Sequence, residues 1–128
     1  MEAIKIDTPS REAIIDITDE VRKIVKVSGI KDGICFIHVP HTTAGVTINE
    51  NADPDVKEDI LRGLNEIIPQ IRFKHIEGNS DAHIKSVLVG TSINLMIENG
   101  DIQLGTWQGL YFCEFDGPRH RKVYVKIV

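Results

Sequence analysis

Apolar residues recur at two spacings along the chain, every second position in some stretches and every third or fourth in others, and the change of period divides it into elements. Ile4 and Ile6 alternate with polar neighbours, and Ala13, Ile15 and Ile17 do so again after the Thr8-Pro9-Ser10 break. Both stretches read as half-buried strands. From Thr18 onward Val21, Ile24, Val25 and Ser28 mark one face of a helix that Gly29 stops. Residues 34–39 then form a strand expected to be buried on both faces and ended by Pro40. A short strand at 46–49 follows the His41-Thr42-Thr43-Ala44-Gly45 loop. Asp53-Pro54 opens a second helix with a carboxylate cap and a proline in the first turn. Val56, Ile60, Leu64 and Ile67 form its expected buried stripe, and Pro69 ends it. A shorter helix runs from a Ser80 cap to about Val89, with Gly90 as its stop. The rest is strand-like: 93–98, then an Asn99-Gly100 hairpin turn, 103–115, an Asp116-Gly117-Pro118 turn and 122–128.

About seven or eight strands with so many hairpins, and two or three helices, predict an α+β fold with an antiparallel or mixed sheet covered by helices. The length of 128 residues suits one domain over 1–128. Aromatics make up only 5% of the chain, so the core must rest on Ile, Val and Leu. No stretch approaches the ~20 apolar residues of a membrane span, and the N-terminus lacks a basic segment followed by a hydrophobic one. Cys35 and Cys113 lie inside strand-like runs, where thiols act as small hydrophobes. The expected location is cytoplasmic. A net charge of -4 argues against nucleic acid as a partner, since affinity for a phosphate backbone comes from clustered Lys and Arg. The one basic knot, Arg119-His120-Arg121-Lys122, has the size to hold a small phosphorylated ligand.

Four places offer chemistry. His38 shares a strand face with Ile34 and Phe36 and reads as a satisfied core histidine, whereas Pro40 frees His41 to point into a cleft. Thr42, Thr43 and the Gly45 backbone can donate hydrogen bonds to phosphate oxygens there. Asp53 reads as a helix cap. Glu50, at a strand end, is either a metal ligand or base, or a surface carboxylate. His75 precedes the Gly78-Asn79 turn and His83 lies in the first turn of the next helix. With His41 they are either convergent ligands for a divalent metal, zinc or magnesium, or unrelated surface residues. Trp107 and Gln108 could form a flat wall and an amide edge for a ring ligand. Arg119 and Arg121 supply the forked donors that phosphates prefer.

Ser92-Ile93-Asn94-Leu95-Met96-Ile97-Glu98-Asn99-Gly100 followed by Gly105-Thr106-Trp107-Gln108-Gly109-Leu110 resembles the signature of the YjbQ family. His41-Thr42-Thr43-Ala44, Asn49-Glu50, Asn79-x-x-Ala82-His83 and Asp116-Gly117-Pro118-Arg119-x-Arg121 are similar to further motifs of that family, in the same order. The resemblance implies an α+β protein that assembles as a homotrimer. It also implies a thiamine-phosphate synthase activity, as a secondary one, joining hydroxymethylpyrimidine diphosphate to thiazole phosphate with release of pyrophosphate. On that reading His41, Glu50 and His83 are catalytic, and Thr42, Thr43, Asn79, Trp107, Gln108, Arg119 and Arg121 bind substrate. A metal-dependent hydrolase of a phosphorylated metabolite and a non-catalytic metabolite-binding trimer use the same residues and stand as alternatives.

Overall fold

Alternating Ile and Val residues resolve into strands wherever one face can be buried, and amphipathic stretches into helices that cover what the strands leave open. In a computed structural model describing residues Met1–Val128, the order is β1 (Glu2–Asp7), β2 (Ala13–Asp16), α1 (Thr18–Ser28), β3 (Gly33–His38), β4 (Ala44–Glu50), α2 (Pro54–Ile67), α3 (Ser80–Val89), β5 (Ser92–Glu98), β6 (Asp101–Ile102), β7 (Gln108–Glu114) and β8 (His120–Ile127). The fold is α+β, and every strand pairing is antiparallel. One sheet runs β1-β8-β3-β5-β6 and the other β2-β7-β4. No helix is long and apolar enough to cross a membrane.

The local signals act as expected at several element ends. Asp53 accepts a hydrogen bond from the Asp55 N–H at 2.9 Å, satisfying one of the free donors of α2. Gly29 closes α1 in the left-handed conformation, its N–H bonding to Lys26 O. Asn99 and Gly100, both at positive φ, turn β5 into β6.

The core gathers residues from both sheets and α1, including Val21, Val25, Ile37, Val46, Ile97, Leu110, Phe112 and Val123. On the other face of β7, Cys113 packs with Ala82 of α3 and with Leu61 and Leu64 of α2. The strand buried on both faces is therefore β7. The strand at 34–39 is not: Cys35 and Ile37 are buried, but Ile34 and Phe36 are 41% and 44% exposed. His38 lies on that open face and contacts Ser92 Oγ, so it is not a core histidine.

Three further expectations change. Val56, Ile60 and Leu64 are only partly buried, Ile67 is 68% exposed, and Ile68 just past the helix reaches the interior instead, so α2 lacks the buried stripe its spacing predicts. The run 103–115 is broken, because pairing to β5 ends after Ile102 and β7 begins at Gln108. Ser80 is the first helical residue of α3, with Asn79 in the cap position and making no capping bond.

Gly45 of β4 backs onto the end of α3. A Cβ there would lie 2.7 Å from the Gly90 carbonyl oxygen and 3.0 Å from Val89 Cγ1. Gly45→Ala is expected to lower stability by ~1–3 kcal/mol through overpacking, read as a lower urea midpoint at unchanged slope. An unshifted midpoint would mean that β4 and α3 have room to spare.

Candidate functional site

Three chain segments end beside one another. His41, Thr42 and Thr43 link β3 to β4, His75 to Asn79 lead into α3, and Asp116 to Arg121 enter β8. Together they line a pocket of about 440 Å³ that has no hydrophobic residue in its wall. His41, Thr42 and His83 also form one wall of an adjoining hollow of about 580 Å³ reaching Ser86 and Gly90. Of the residues singled out from the sequence, His41, Thr42, Thr43, His75, Asn79, His83, Arg119 and Arg121 meet here.

Beneath the pocket lies a buried ion pair. Arg121 of β8 donates from Nε and Nη2 to both oxygens of Glu114 at the end of β7, and from Nη2 to Thr43 Oγ1 at 2.8 Å. Glu114 also accepts from Thr8 Oγ1 and the Asp116 N–H, each at 2.9 Å. Burial opposes ionisation of Glu114, but the bonds from Arg121, Asp116 and Thr8 outweigh it and hold its pKa below the ordinary range. Arg121 is thus committed to the protein, while the more exposed Arg119 is the freer of the two. Arg119 donates from Nε to the Asp116 carbonyl and from Nη2 to Asp116 Oδ2, leaving Nη1 without a protein partner. Asp116 Oδ2 accepts from Asn79 Nδ2 as well, at 2.8 Å. Asp116 is also held below its usual pKa: burial pulls it up, and the bonds from Asn79 and Arg119 prevail.

The histidines are near neighbours with different bonds. The rings of His75 and His83 stand 5.5 Å apart, edge to face. His41 turns back toward β8, where its Nε2 accepts the Lys122 N–H at 3.0 Å. Burial, then the charge of Arg121, lower its pKa, which favours a neutral ring with the proton on Nδ1. The chain contains no group of three or more His, Cys, Asp or Glu arranged to hold a metal. The expected three-histidine ligand set is therefore not formed: the Nε2 lone pair of His41 is already taken.

Glu50, Trp107 and Gln108 are not part of this pocket. They sit together at the other end of β4, where Glu50 pairs with Gln108 and the Asn51 N–H bonds to Trp107 O at 2.9 Å. Ala44, beside the pocket, and Glu50 are six strand residues apart, roughly 20 Å at ~3.3 Å per residue. Gln108 Oε1 is engaged by the Gly105 N–H, and Trp107 is 63% exposed. Conversely, Glu77 lines the pocket and Glu114 supports it, although neither was singled out. A signal for Glu114 was present, since a lone carboxylate inside the apolar run 110–115 must find a buried cation.

Arg121→Met would strand Glu114 as an unpaired buried charge and is expected to cost ~3–5 kcal/mol at neutral pH. The sign with pH follows from the lowered pKa of Glu114. Its pairing stabilises above the unfolded-state value of about 4.3, and this is lost as pH falls through the folded-state value. In the variant the carboxyl escapes its penalty by protonation, so the gap between wild type and variant should narrow in acid. Urea unfolding at about pH 7 and about pH 4 reads this difference, and a gap that widens in acid would contradict the account.

The sequence and fold have known counterparts. A family profile described as UPF0047 protein YjbQ-like matches residues 2–128. A UPF0047 protein of Methanocaldococcus jannaschii is 57% identical over 97% of this chain and 91% of its own length. YugU of Bacillus subtilis, also a UPF0047 protein, is 52% identical over 100% of this chain and 98% of its own. The crystal structure of a YjbQ/UPF0047-family protein from Clostridium acetobutylicum superposes with a TM-score of 0.97 at 54% identity, covering 100% of both chains. Identity of this extent over nearly the whole length, together with the matching fold, leaves one assignment: the chain belongs to the YjbQ-like UPF0047 family.

Proposed function

We propose that the pocket between the β3–β4 link, the start of α3 and the start of β8 binds the phosphate or diphosphate of a small metabolite, and that the chain is a transferase of the thiamine-phosphate synthase kind. The observation that carries the binding reading is a wall without hydrophobic residues in which Arg119 Nη1 has no protein partner, beside three imidazoles and the N-terminus of α3. A helix N-terminus and a guanidinium both favour an anion. The reaction class rests on the resemblance to the family. In that reaction the thiazole nitrogen lone pair forms the new C–N bond to the pyrimidine methylene carbon. The C–O bond breaks, and pyrophosphate leaves with the electron pair. Such a step needs charge neutralised on the leaving oxygens more than it needs a base, which suits Arg119 and the imidazoles. A zinc or magnesium ion would supply the same neutralisation. The chain offers it the adjacent His75 and His83, short of the three protein ligands of a catalytic zinc, so no step is assigned to a metal.

The homotrimer is part of this proposal. Ile34, Phe36 and Met96 leave an apolar, uncovered face on the five-stranded sheet, and a second copy of the chain would remove it from water. Cytoplasmic residence belongs to the same proposal and is supported by the reduced-type cysteines, Cys35 and Cys113, both free and buried.

Incubation with the two thiamine precursors is expected to yield coupled product and pyrophosphate in equal amounts. Phosphate release without coupling would point to a hydrolase, and binding without turnover to a non-catalytic protein. Arg119→Lys keeps the charge but loses the fork, so pyrophosphate affinity is expected to fall by ~1–3 kcal/mol in calorimetric titration. Unchanged affinity would remove Arg119 from the site. Sedimentation equilibrium at micromolar concentrations should give the mass of three protomers, and a monomer mass would refute the assembly.

A further inference from the structure

We infer that the site is shared between copies of the chain: the end of the three-stranded sheet that carries Glu50, Trp107 and Gln108 docks beside the His41–His83 pocket of the next copy and completes it, a sharing that presupposes the phosphate-binding and assembly readings above. One chain alone lacks half of what a ring-bearing ligand needs. The pocket has no hydrophobic residue in its wall, and Val39 and Val87 are the hydrophobic residues of the adjoining hollow. Such walls can hold a phosphate. Small-molecule sites, however, are lined predominantly by apolar and aromatic groups, and no flat surface beyond the imidazoles stands here.

That surface lies at the other end of β4. Trp107 is the chain's one tryptophan and is 63% exposed. Beside it, Gln108 Oε1 is held by the Gly105 N–H, which leaves Nε2 to donate to a ring acceptor. This end is roughly 20 Å from the pocket along the strand. Because β4 pairs with β7 along its whole length, no rearrangement within the chain brings the two ends together. A second copy can.

Continuity of surface and opposite charge indicate how it docks. His38 shares the open face of the five-stranded sheet with Ile34 and Phe36 and also lines the hollow, so the uncovered apolar face runs into the site. Val87 lines the same hollow from α3 and is 82% exposed. Apolar surface on both sides of the hollow makes a seat for a tryptophan ring, the commonest kind of interface anchor. Lys5, Lys122 and Lys126 stand on that sheet face, against Asp7 and Glu98. The Trp107 end is acidic. Asp16, Asp19, Glu20, Glu50, Asp53 and Asp55 gather at the ends of β2 and β4 and the starts of α1 and α2, and Lys57, over the Tyr111 ring, is the cation among them. A twofold contact would set each patch against itself, acid against acid. A head-to-tail contact sets the acidic end against the lysines, and it is the kind that closes into a ring such as a trimer. Arg119 and the imidazoles then hold the phosphate of the ligand, and Trp107 of the partner subunit covers its ring.

Co-expression of Val87→Cys and Thr106→Cys chains, both positions being exposed, tests the contact. The native Cys35 and Cys113 are buried and stay unlabelled. A short bismaleimide is expected to join unlike chains and to join neither variant to itself. Absence of the mixed product from an oligomeric sample overturns the inference while leaving the assembly in place. Self-linkage of either variant at the same yield also overturns it, since that marks a twofold contact. A monomeric wild type overturns it together with the assembly. Trp107 gives a second reading, because all tryptophan emission comes from it. Its emission should shift to shorter wavelength as dilute monomers assemble, and inorganic pyrophosphate should change it further in the assembly but not in the monomer. Calorimetric binding of pyrophosphate with unchanged emission overturns the shared site but keeps the pocket. If wild type binds no pyrophosphate, the phosphate reading fails, and the crosslink still decides whether the two ends meet.

Discussion

Glu114 and Arg121 carry opposite charges into the interior, at the ends of strands that belong to different sheets. Removing a carboxylate and a guanidinium from water costs several kcal/mol each, and only a close pair with its remaining bonds satisfied offsets that cost. Every part of this pair is engaged with something the pocket needs. Thr8 and the Asp116 N–H complete Glu114, and Thr43 receives the spare donor of Arg121. The pair therefore ties the two sheets together beneath the pocket and sets the height of the loops around it. Arg119 and Arg121 divide their tasks for the same reason. Arg121 lies within β8 and faces the interior with Val123 and Val125, whereas Arg119 precedes the strand and reaches the rim.

A second polar network fixes the other wall. Lys85, fully buried on α3, donates to Glu12 before β2, to Asn65 of α2 and to Asp81 one turn back on its own helix. Arg11 grips Asp81 from the other side, and burial of that carboxylate is outweighed by Arg11 and Lys85, so its pKa is lowered. These bonds lock the rotation of α3. That rotation aims His83 and Asn79 at the pocket, so a helix with little amphipathic pattern is placed by charge pairs where burial alone would leave it free to turn. Donors and carboxylates share the pocket wall, with Glu77 and Asp116 in it and Glu114 buried beneath. Asp116 holds both Asn79 and Arg119, leaving Arg119 Nη1 without a protein partner.

Much of the fold was legible locally. Asp53-Pro54, Gly29, Gly90 and Asn99-Gly100 each work through bonds or φ angles within a few residues, so their meaning survives without knowledge of the rest. The apolar run at 34–39 was misread because two such runs compete for the interior. Which one is covered on both faces depends on the layers that fold over it, and α2 and α3 cover β7. Within the site, the segments at 41–43, 75–83 and 119–121 were identifiable as polar residues at element ends, where clefts form.

The residue types in that pocket, the element ends that carry them and the family to which the chain belongs were determined by the sequence itself, because each is a matter of composition and short spacing. Which of them meet was decided by tertiary structure. The antiparallel register of β4 on β7 sets Ala44 against Glu114 and Glu50 against Gln108. It thereby brings the threonines to the ion pair and carries Glu50 and Trp107 to the opposite end. Register is chosen by burying one face of each strand against distant partners, and no spacing along the chain encodes which partner that will be. The missing capping bond of Asn79 has the same origin: its cap position is local, but the carboxylate that turns its amide away from the helix lies 37 residues further along the chain.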